Sequence, residues 1–358
     1  MVQTVSLRPC QLTSTEFAEL AYQGFGRGFQ QALELYKEIM RSGTMQGTHA
    51  AFNNCPQLRQ ELIESIVLPS PKVVSTIVDG STEKAILELD DGLRVEMVLI
   101  SMRSGGTLCI STQVGCARGC AFCETGRMGL LRNLTVEEIV AQPWLARTVL
   151  GWSIRNIVFM GMGEPLDNLE CLTQALAVMC DAKGMDIGPG RITVSTVGHV
   201  PGMLHLLKHA PKSLKVALSL HAACDVVRNR LMPVNRQWNL SDLKIALQAY
   251  HEHGRCVLIE YILIAGMTDS MEMAAALADY LEGRNVRVNC IPYNPQSNPR
   301  FKAPSEDQQR LFLNELRRRG LPVLLRHHRG RDSMAACGQL GDVRLAQAVR
   351  KKATSNTL

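Results

Sequence analysis

Apolar positions recur at helical spacing early in the chain. Ala32, Leu35, Tyr36, Ile39 and Met40 fall on one face of a helix that stops at Gly43, and Leu58, Leu62, Ile63 and Ile66 repeat the pattern after Pro56. The period then drops to two. Residues 73–78, 85–89 and 93–100 alternate, and Asp79-Gly80 and Asp91-Gly92 punctuate them, which predicts the hairpins of a small antiparallel sheet. In the last of these runs Val95, Met97 and Leu99 share one face. Glu96 is left on the other, where an acid ordinarily meets solvent.

From Thr107 onward strand and helix patterns alternate. Strands are predicted at 107–113, 154–160, 191–196, 214–220, 256–263 and 286–291, and helices at 135–149, 169–182, 200–209, 240–253, 270–283 and 305–319. Thr135-Val-Glu-Glu138 is a capping box, the signature of a helix start. Six such parallel units make an α/β fold, an incomplete (β/α)6 barrel spanning 101–343. It follows an accessory region, 1–100, of helices and then hairpins, and precedes a basic tail at 344–358. In barrels of this kind the chemistry gathers at the carboxyl ends of the strands.

The first of those ends carries the densest chemistry. Cys116, Cys120 and Cys123 follow the strand, with three residues between the first pair and two between the second. Closely spaced thiolates bind zinc or an iron–sulfur cluster. Zinc closes its shell with a fourth Cys or His, whereas three cysteines leave one iron of a four-iron cluster open to a small molecule; the spacing favours the cluster. The second strand ends in Phe159-Met-Gly-Met-Gly163-Glu164-Pro165, where glycines permit close backbone approach and the acid suits a ligand cation. An ordinary tight turn has the same composition. Ser195, Ser219-Leu220-His221 and Asn294 end later strands, where polar residues also serve as caps and turns. Ala335-Ala-Cys337-Gly-Gln-Leu340 follows a strand-like stretch at 322–326 and, taken by itself, reads as a small-residue turn with an inert cysteine.

Cys116-x-x-x-Cys120-x-Phe122-Cys123 resembles the radical S-adenosylmethionine (SAM) motif. The longer string from Cys109 through Cys123-Glu-Thr-Gly126 to Arg132-Asn-Leu-Thr-Val-Glu-Glu-Ile139 resembles the RlmN/Cfr family of RNA adenosine methyltransferases, and the likeness is dense over 93–343. It implies one 4Fe-4S cluster held by Cys116, Cys120 and Cys123, with SAM on the open iron. Gly163, Glu164, Ser195, Ser219, Leu220, His221 and Asn294 then surround SAM. The family places its methyl-carrying cysteine at Cys337. One SAM methylates that sulfur and a second yields the 5′-deoxyadenosyl radical that activates it. The resulting methylene adds to carbon 2 or carbon 8 of an adenine in ribosomal or transfer RNA. Cys109 releases the product and leaves a Cys109–Cys337 disulfide to be reduced. The ring-proton base is Glu96, the family's assigned proton acceptor, or the Cys109 thiolate. An electron donor such as flavodoxin or ferredoxin is the implied partner besides RNA. Glu124, Ser333 and Met334 differ from the residues usual at those places in the family. A radical SAM enzyme with a non-RNA substrate would have no use for Cys109 and Cys337 as a pair, and a zinc-stabilised RNA-binding module would need no SAM pocket.

Composition narrows the classes further. A chain of 358 residues, 46% hydrophobic, can bury a sizeable core in one large domain beside a small one. Twelve cysteines are too few for a disulfide scaffold and suit a reducing cytosol, so a cytoplasmic monomer is expected. The amino terminus lacks the apolar region of a signal peptide, and no run reaches membrane-spanning length. Net charge is +6, but from Phe301 onward twelve Lys and Arg face five Asp and Glu, a local excess of +7. Arg317-Arg-Arg319, Arg326, Arg329, Arg331 and Arg350-Lys-Lys352 supply most of it. Such a patch suits a phosphate backbone, with a solvated helix face as the alternative.

Overall fold

In a computed structural model of the chain, residues 5–102, 105–326, 334–343 and 346 are described. His327, His328, Arg329, Arg331, Ser333 and the basic residues Arg350, Lys351 and Lys352 lie outside them.

Three helices open the chain: α1 (Ser14–Phe25), α2 (Phe29–Ser42) and α3 (Pro56–Ser65). The apolar face read from 32–40 is buried as expected. The first helix was not anticipated, although its start is written in the sequence. Thr13 and Glu16 form a capping box, with the Thr13 N–H donating to Glu16 Oε2 at 2.7 Å. The helices dock on the outside of the barrel through specific polar contacts. Trp144 Nε1 donates to the Ile39 carbonyl at 2.9 Å, and Arg8 pairs with the largely buried Glu137 at 2.9 Å.

The strands β1 (Lys72–Asp79), β2 (Thr82–Glu88) and β3 (Arg94–Ile100) form the expected antiparallel hairpins. They are not a separate sheet. β3 pairs antiparallel with β4 (Gly106–Cys109), placing Val98 opposite Cys109 and extending the barrel sheet at its first edge. Between β4 and the first barrel helix come β5 (Gln113–Val114), α4 (Glu124–Met128) and β6 (Arg132–Asn133), with β5 and β6 paired to each other. Then follow α5 (Val136–Thr148), β7 (Ile154–Phe159), α6 (Leu169–Cys180), β8 (Ile192–Thr196), α7 (Val200–His209) and β9 (Lys215–Ser219). The chain continues through α8 (Asp225–Leu231), α9 (Leu240–Glu252), β10 (Val257–Leu263), α10 (Met271–Leu281), β11 (Val286–Pro292), α11 (Glu306–Arg318) and β12 (Val323–Leu325).

The spatial order is β1-β2-β3-β4-β7-β8-β9-β10-β11-β12, parallel from β4 onward. β1 and β12 are its two edges, so the barrel is incomplete, with six β/α units and β12 as an added parallel strand. The buried runs of β9 and β10 are largely apolar, as strands covered on both faces are. The predicted first strand, 107–113, stops at Cys109. Beyond it, both backbone groups of Ser111 are taken by the Gln142 side-chain amide of α5, each at 2.8 Å, in place of a strand partner. Among the described residues no helix is long and apolar enough to cross a membrane.

Candidate active site

At the carboxyl ends of β7 to β11 lies a cavity walled by Cys116, Cys120 and Cys123 on one side and by Gly163, Glu164, Ser195, Ser219 and His221 on another. Cys337 closes it. Behind Cys337 a second cavity is lined by Val98, Met102, Cys109 and Asn294. Met160, Ile291, Arg326 and Cys337 belong to both walls and form the partition between them.

Buried amides hold the loop that carries the three cysteines. Gln113 donates to Asn133 at 2.8 Å and accepts the Glu164 N–H at 2.9 Å, while Asn168 donates to the carbonyls of Thr112 and Leu134. The glycines that follow β7 are needed for this contact. A Cβ on Gly161 would meet the Ile110 carbonyl at 2.6 Å, and one on Gly163, whose φ is 104°, would meet Gln113 at 2.6 Å. Arg118, inside the loop, is fixed by a two-point pair with Asp167 and lies over the Trp238 ring.

Burial pushes all three thiols upward, Cys116 to about 12, and Cys123 raises Cys116 and Cys120 further. Three buried sulfurs facing one cavity favour their thiolate form only beside a strong positive charge, which is the chemistry of a metal-cluster donor set. Among the described residues no three Cys, His, Asp or Glu side chains converge on a single ion. Three thiols lining one cavity are a donor set that could hold an iron–sulfur cluster.

Glu164 is 2% exposed, and burial raises its pKa to about 7. Its two oxygens already accept the N–H groups of Leu166 and Val197, at 3.2 and 2.9 Å. A carboxylate has further lone pairs, and these remain for a ligand cation. His221 sits at φ 59°, with its Nδ1 accepting the Ile262 N–H at 3.1 Å; burial, then Arg228, push its pKa down to about 3. It is therefore neutral, with the proton on Nε2. Ser195 and Ser219 line the cavity as expected. Leu220 does not: its side chain is in the hydrophobic core, because the strand alternation that turns Ser219 toward the cavity turns the next residue away. Asn294 lines the second cavity, where its amide donates to the Cys337 carbonyl at 3.1 Å.

The Cys337 loop is tied to the cysteine loop itself. The Glu124 N–H donates to the Gly338 carbonyl at 2.7 Å, and Thr125 Oγ1 to the Leu340 carbonyl at 2.6 Å. Glu124, the unusual residue after Cys123, is buried between Arg127 and Ser297. Cys109 is fully buried, with its pKa pushed up to about 12 first by burial and then by Cys337. Both cysteines are free thiols, so the Cys109–Cys337 disulfide is no part of the fold. Arg326 is stabilised as a cation first by Cys337, with Glu260 and Cys109 adding to it.

Two expectations change. Glu96 is not on a solvent face: its carboxylate pairs with Lys84 at 3.6 Å, and its side chain is 12% exposed. It lines neither main cavity. Arg317, Arg318 and Arg319 end α11, which runs back from the carboxyl ends of the strands, so they sit at the opposite end of the barrel from the site. Arg318 and Arg319 are engaged by Glu315 and Asp279.

Sequence reading missed Arg228, which is 0% exposed and donates to the carbonyls of Val197 and Leu220, at 2.7 and 3.0 Å, and to Asn235. It locks together the ends of β8 and β9 that carry the cavity residues. Its signal, one of two arginines in a short helix, does not distinguish it from a surface residue.

Comparison with known proteins agrees with this arrangement. Residues 110–278 match the radical SAM superfamily. The chain is 43% identical over 93% of its length to a probable dual-specificity RNA methyltransferase RlmN 1 of Protochlamydia amoebophila, 93% of which is covered. It is 44% identical over 76% of its length to the dual-specificity RNA methyltransferase RlmN of Syntrophotalea carbinolica, with 72% covered. The crystal structure of a radical SAM methyltransferase from Sphaerobacter thermophilus superposes with a TM-score of 0.85 at 37% identity, covering 94% of this chain and 99% of that one. The chain belongs to the RlmN family of the radical SAM superfamily.

Proposed function

We propose that this protein methylates a ring carbon, 2 or 8, of an adenine in ribosomal or transfer RNA, with Cys337 as the methyl carrier. The observation that supports this most is the position of Cys337 in the partition between two cavities, one walled by the three cysteines and Glu164, the other by Cys109. A 4Fe-4S cluster on Cys116, Cys120 and Cys123 would supply the electron that cleaves SAM to a carbon radical. Glu164 would hold the SAM amino group, with Ser195, Ser219 and His221 around the rest. Cys337 takes a methyl from one SAM on its sulfur, gives up a hydrogen from that methyl to the radical from a second, and adds the carbon to the adenine. Carbons 2 and 8 are electron-poor, so radical addition succeeds where displacement on SAM alone would fail. The adduct radical gives its ring proton to Cys109, in the adenine-side cavity, and one electron to the oxidised flavodoxin- or ferredoxin-class carrier, which leaves a thioether between Cys337 and the adenine. The Cys109 sulfur then attacks that of Cys337, the carbon–sulfur bond breaks, and the methylene carbon takes the Cys109 proton to become the methyl group. A donor of the flavodoxin or ferredoxin class and a thiol reductant restore the starting state.

The test is anaerobic reaction of the cluster-loaded protein with RNA and SAM deuterated in the methyl group, followed by mass spectrometry of the nucleosides. Methyladenosine retaining two deuterons in its methyl group is expected, since one leaves with the radical. Cys337→Ala should give none. Cys109→Ala should accumulate protein joined to RNA through a methylene at Cys337, a band that ribonuclease trims and boiling does not separate. Normal turnover by either variant would overturn the paired-cysteine reading, and unlabelled RNA beside a modified non-RNA substrate would overturn the RNA reading.

A further inference from the structure

The register of the first hairpin places Lys84 opposite Val98 and Glu96 opposite Ile86. The two charged residues are therefore diagonal neighbours on one sheet face, a spacing that a long side chain spans. Val98 in turn faces Cys109 on β4, so ammonium, carboxylate and resolving thiol share that face. The ion pair is buried, with its side chains 7% and 12% exposed.

Each member of the pair also reaches the loop that carries Cys337. Lys84 Nζ donates to the Met334 carbonyl at 3.4 Å, and Glu96 accepts the Gly341 N–H. The two attachments bracket the cysteine, one before it and one after. Met334, at φ 52°, and Gly338, at φ 82°, hold left-handed backbone within this span, a conformation that a non-glycine residue keeps only when its surroundings enforce it. Glu96 itself faces a separate small cavity beside Gly341 and Met128. A proton acceptor has to come within hydrogen-bond reach of the proton it removes. Glu96 lies behind the loop, off the walls of both working cavities.

We propose that Lys84 and Glu96 are positioning residues, a buried ion pair that pins both ends of the carrier loop and presents Cys337 in the partition. The proposal rests on the reading of Cys337 as methyl carrier. It predicts that loss of either charge acts on the first step, methyl loading of Cys337, because misplacement by about 1 Å is enough to cost up to about a hundredfold in rate.

The experiment measures two steps separately in cluster-loaded protein: methyl on Cys337, by intact mass after SAM alone, and the ribonuclease-trimmed adduct after RNA is added. Lys84→Met and Glu96→Gln should each load methyl at least about tenfold more slowly than wild type, with no build-up of adduct. Iron content should be unchanged. In cluster-free protein both variants should become more susceptible to proteolysis between 334 and 343, and Lys84→Arg should restore protection and loading. The exchanged pair, Lys84→Glu with Glu96→Lys, restores the charge pair but offers the wrong partner to each loop group, so its thermal midpoint should recover while loading stays slow. Wild-type loading in Glu96→Gln with accumulated adduct would identify Glu96 as the proton acceptor and overturn the clamp. Restored loading in the exchanged pair would reduce the pair to a fold contact and overturn it equally. Wild-type protein that never carries methyl on Cys337 would remove the carrier reading, and the clamp with it.

Discussion

At the residue scale, His221 illustrates how a site side chain is set by its surroundings. Buried, and with its Nδ1 committed to the Ile262 N–H, it has its pKa pushed down to about 3, first by burial and then by Arg228. In the unfolded chain the imidazole would protonate near its ordinary value of about 6.5. As pH falls through that value the unfolded state gains a proton that the folded state refuses. The stability contribution is therefore complete above about 6.5 and is lost progressively toward 3, amounting to about 2 kcal/mol by pH 5. Denaturant midpoints of wild type and His221→Gln, compared at pH 7.5 and pH 5, should show the wild type losing about that much more than the variant. Equal losses would mean that His221 protonates in the folded state. The three cysteines were legible in their spacing, whereas Glu164 and His221 needed the family likeness, because polar residues at strand ends read equally well as turns and caps. Glu96 was misplaced for a physical reason. Alternation correctly put it on the face opposite Val95 and Met97, but the Cys337 loop, far along the chain, covers that face.

At the scale of elements, the alternating strands and helices from Thr107 onward were read from period, because most barrel strands have an apolar middle and most of the longer helices have a side-chain cap. Thr135 and Glu138 make the capping box read for α5. What escaped were α1 and the short helices α4 and α8, and with α8 went the arginine that organises the site. Arg228 of α8 is the tie between strand ends. Arg228→Met would leave the carbonyls of Val197 and Leu220 and the side chain of Asn235 without their buried donor. A loss of about 3–5 kcal/mol is expected, with weakened SAM binding because Ser219 and His221 lose their support. Arg228→Lys should rescue little, since an ammonium cannot reproduce the planar fork that reaches several acceptors at once. Thermal midpoints with a SAM titration check this; a lysine variant that binds SAM like wild type would reduce Arg228 to a buried charge without a geometric role.

At the scale of the whole molecule, the described basic residues from Arg300 to Arg319 do not gather on one face of the barrel. Arg317, Arg318 and Arg319 are at the amino ends of the strands, away from Cys109 and Cys337, and Arg318 and Arg319 are held by Glu315 and Asp279. Composition could not reveal this, because the direction of α11 decides which end its last turn occupies. Arg300 and Lys302 are exposed on the segment that follows β11, the strand leading to Asn294 at the second cavity. An RNA strand presenting an adenine there would run its phosphates past this segment. Arg300→Glu with Lys302→Glu should weaken RNA binding and lower the slope of log affinity against log salt by about 0.7–0.9 for each phosphate that no longer meets a cation. Arg318→Glu with Arg319→Glu should leave both affinity and slope near wild type, because those charges lie at the far end of the barrel and are already engaged by neighbouring acids. Salt titrations of RNA binding on both double variants separate the two faces. A larger loss of affinity from the α11 pair than from the Arg300 and Lys302 pair would move the RNA path to the far end of the barrel, and would require the target adenine to be reached from there.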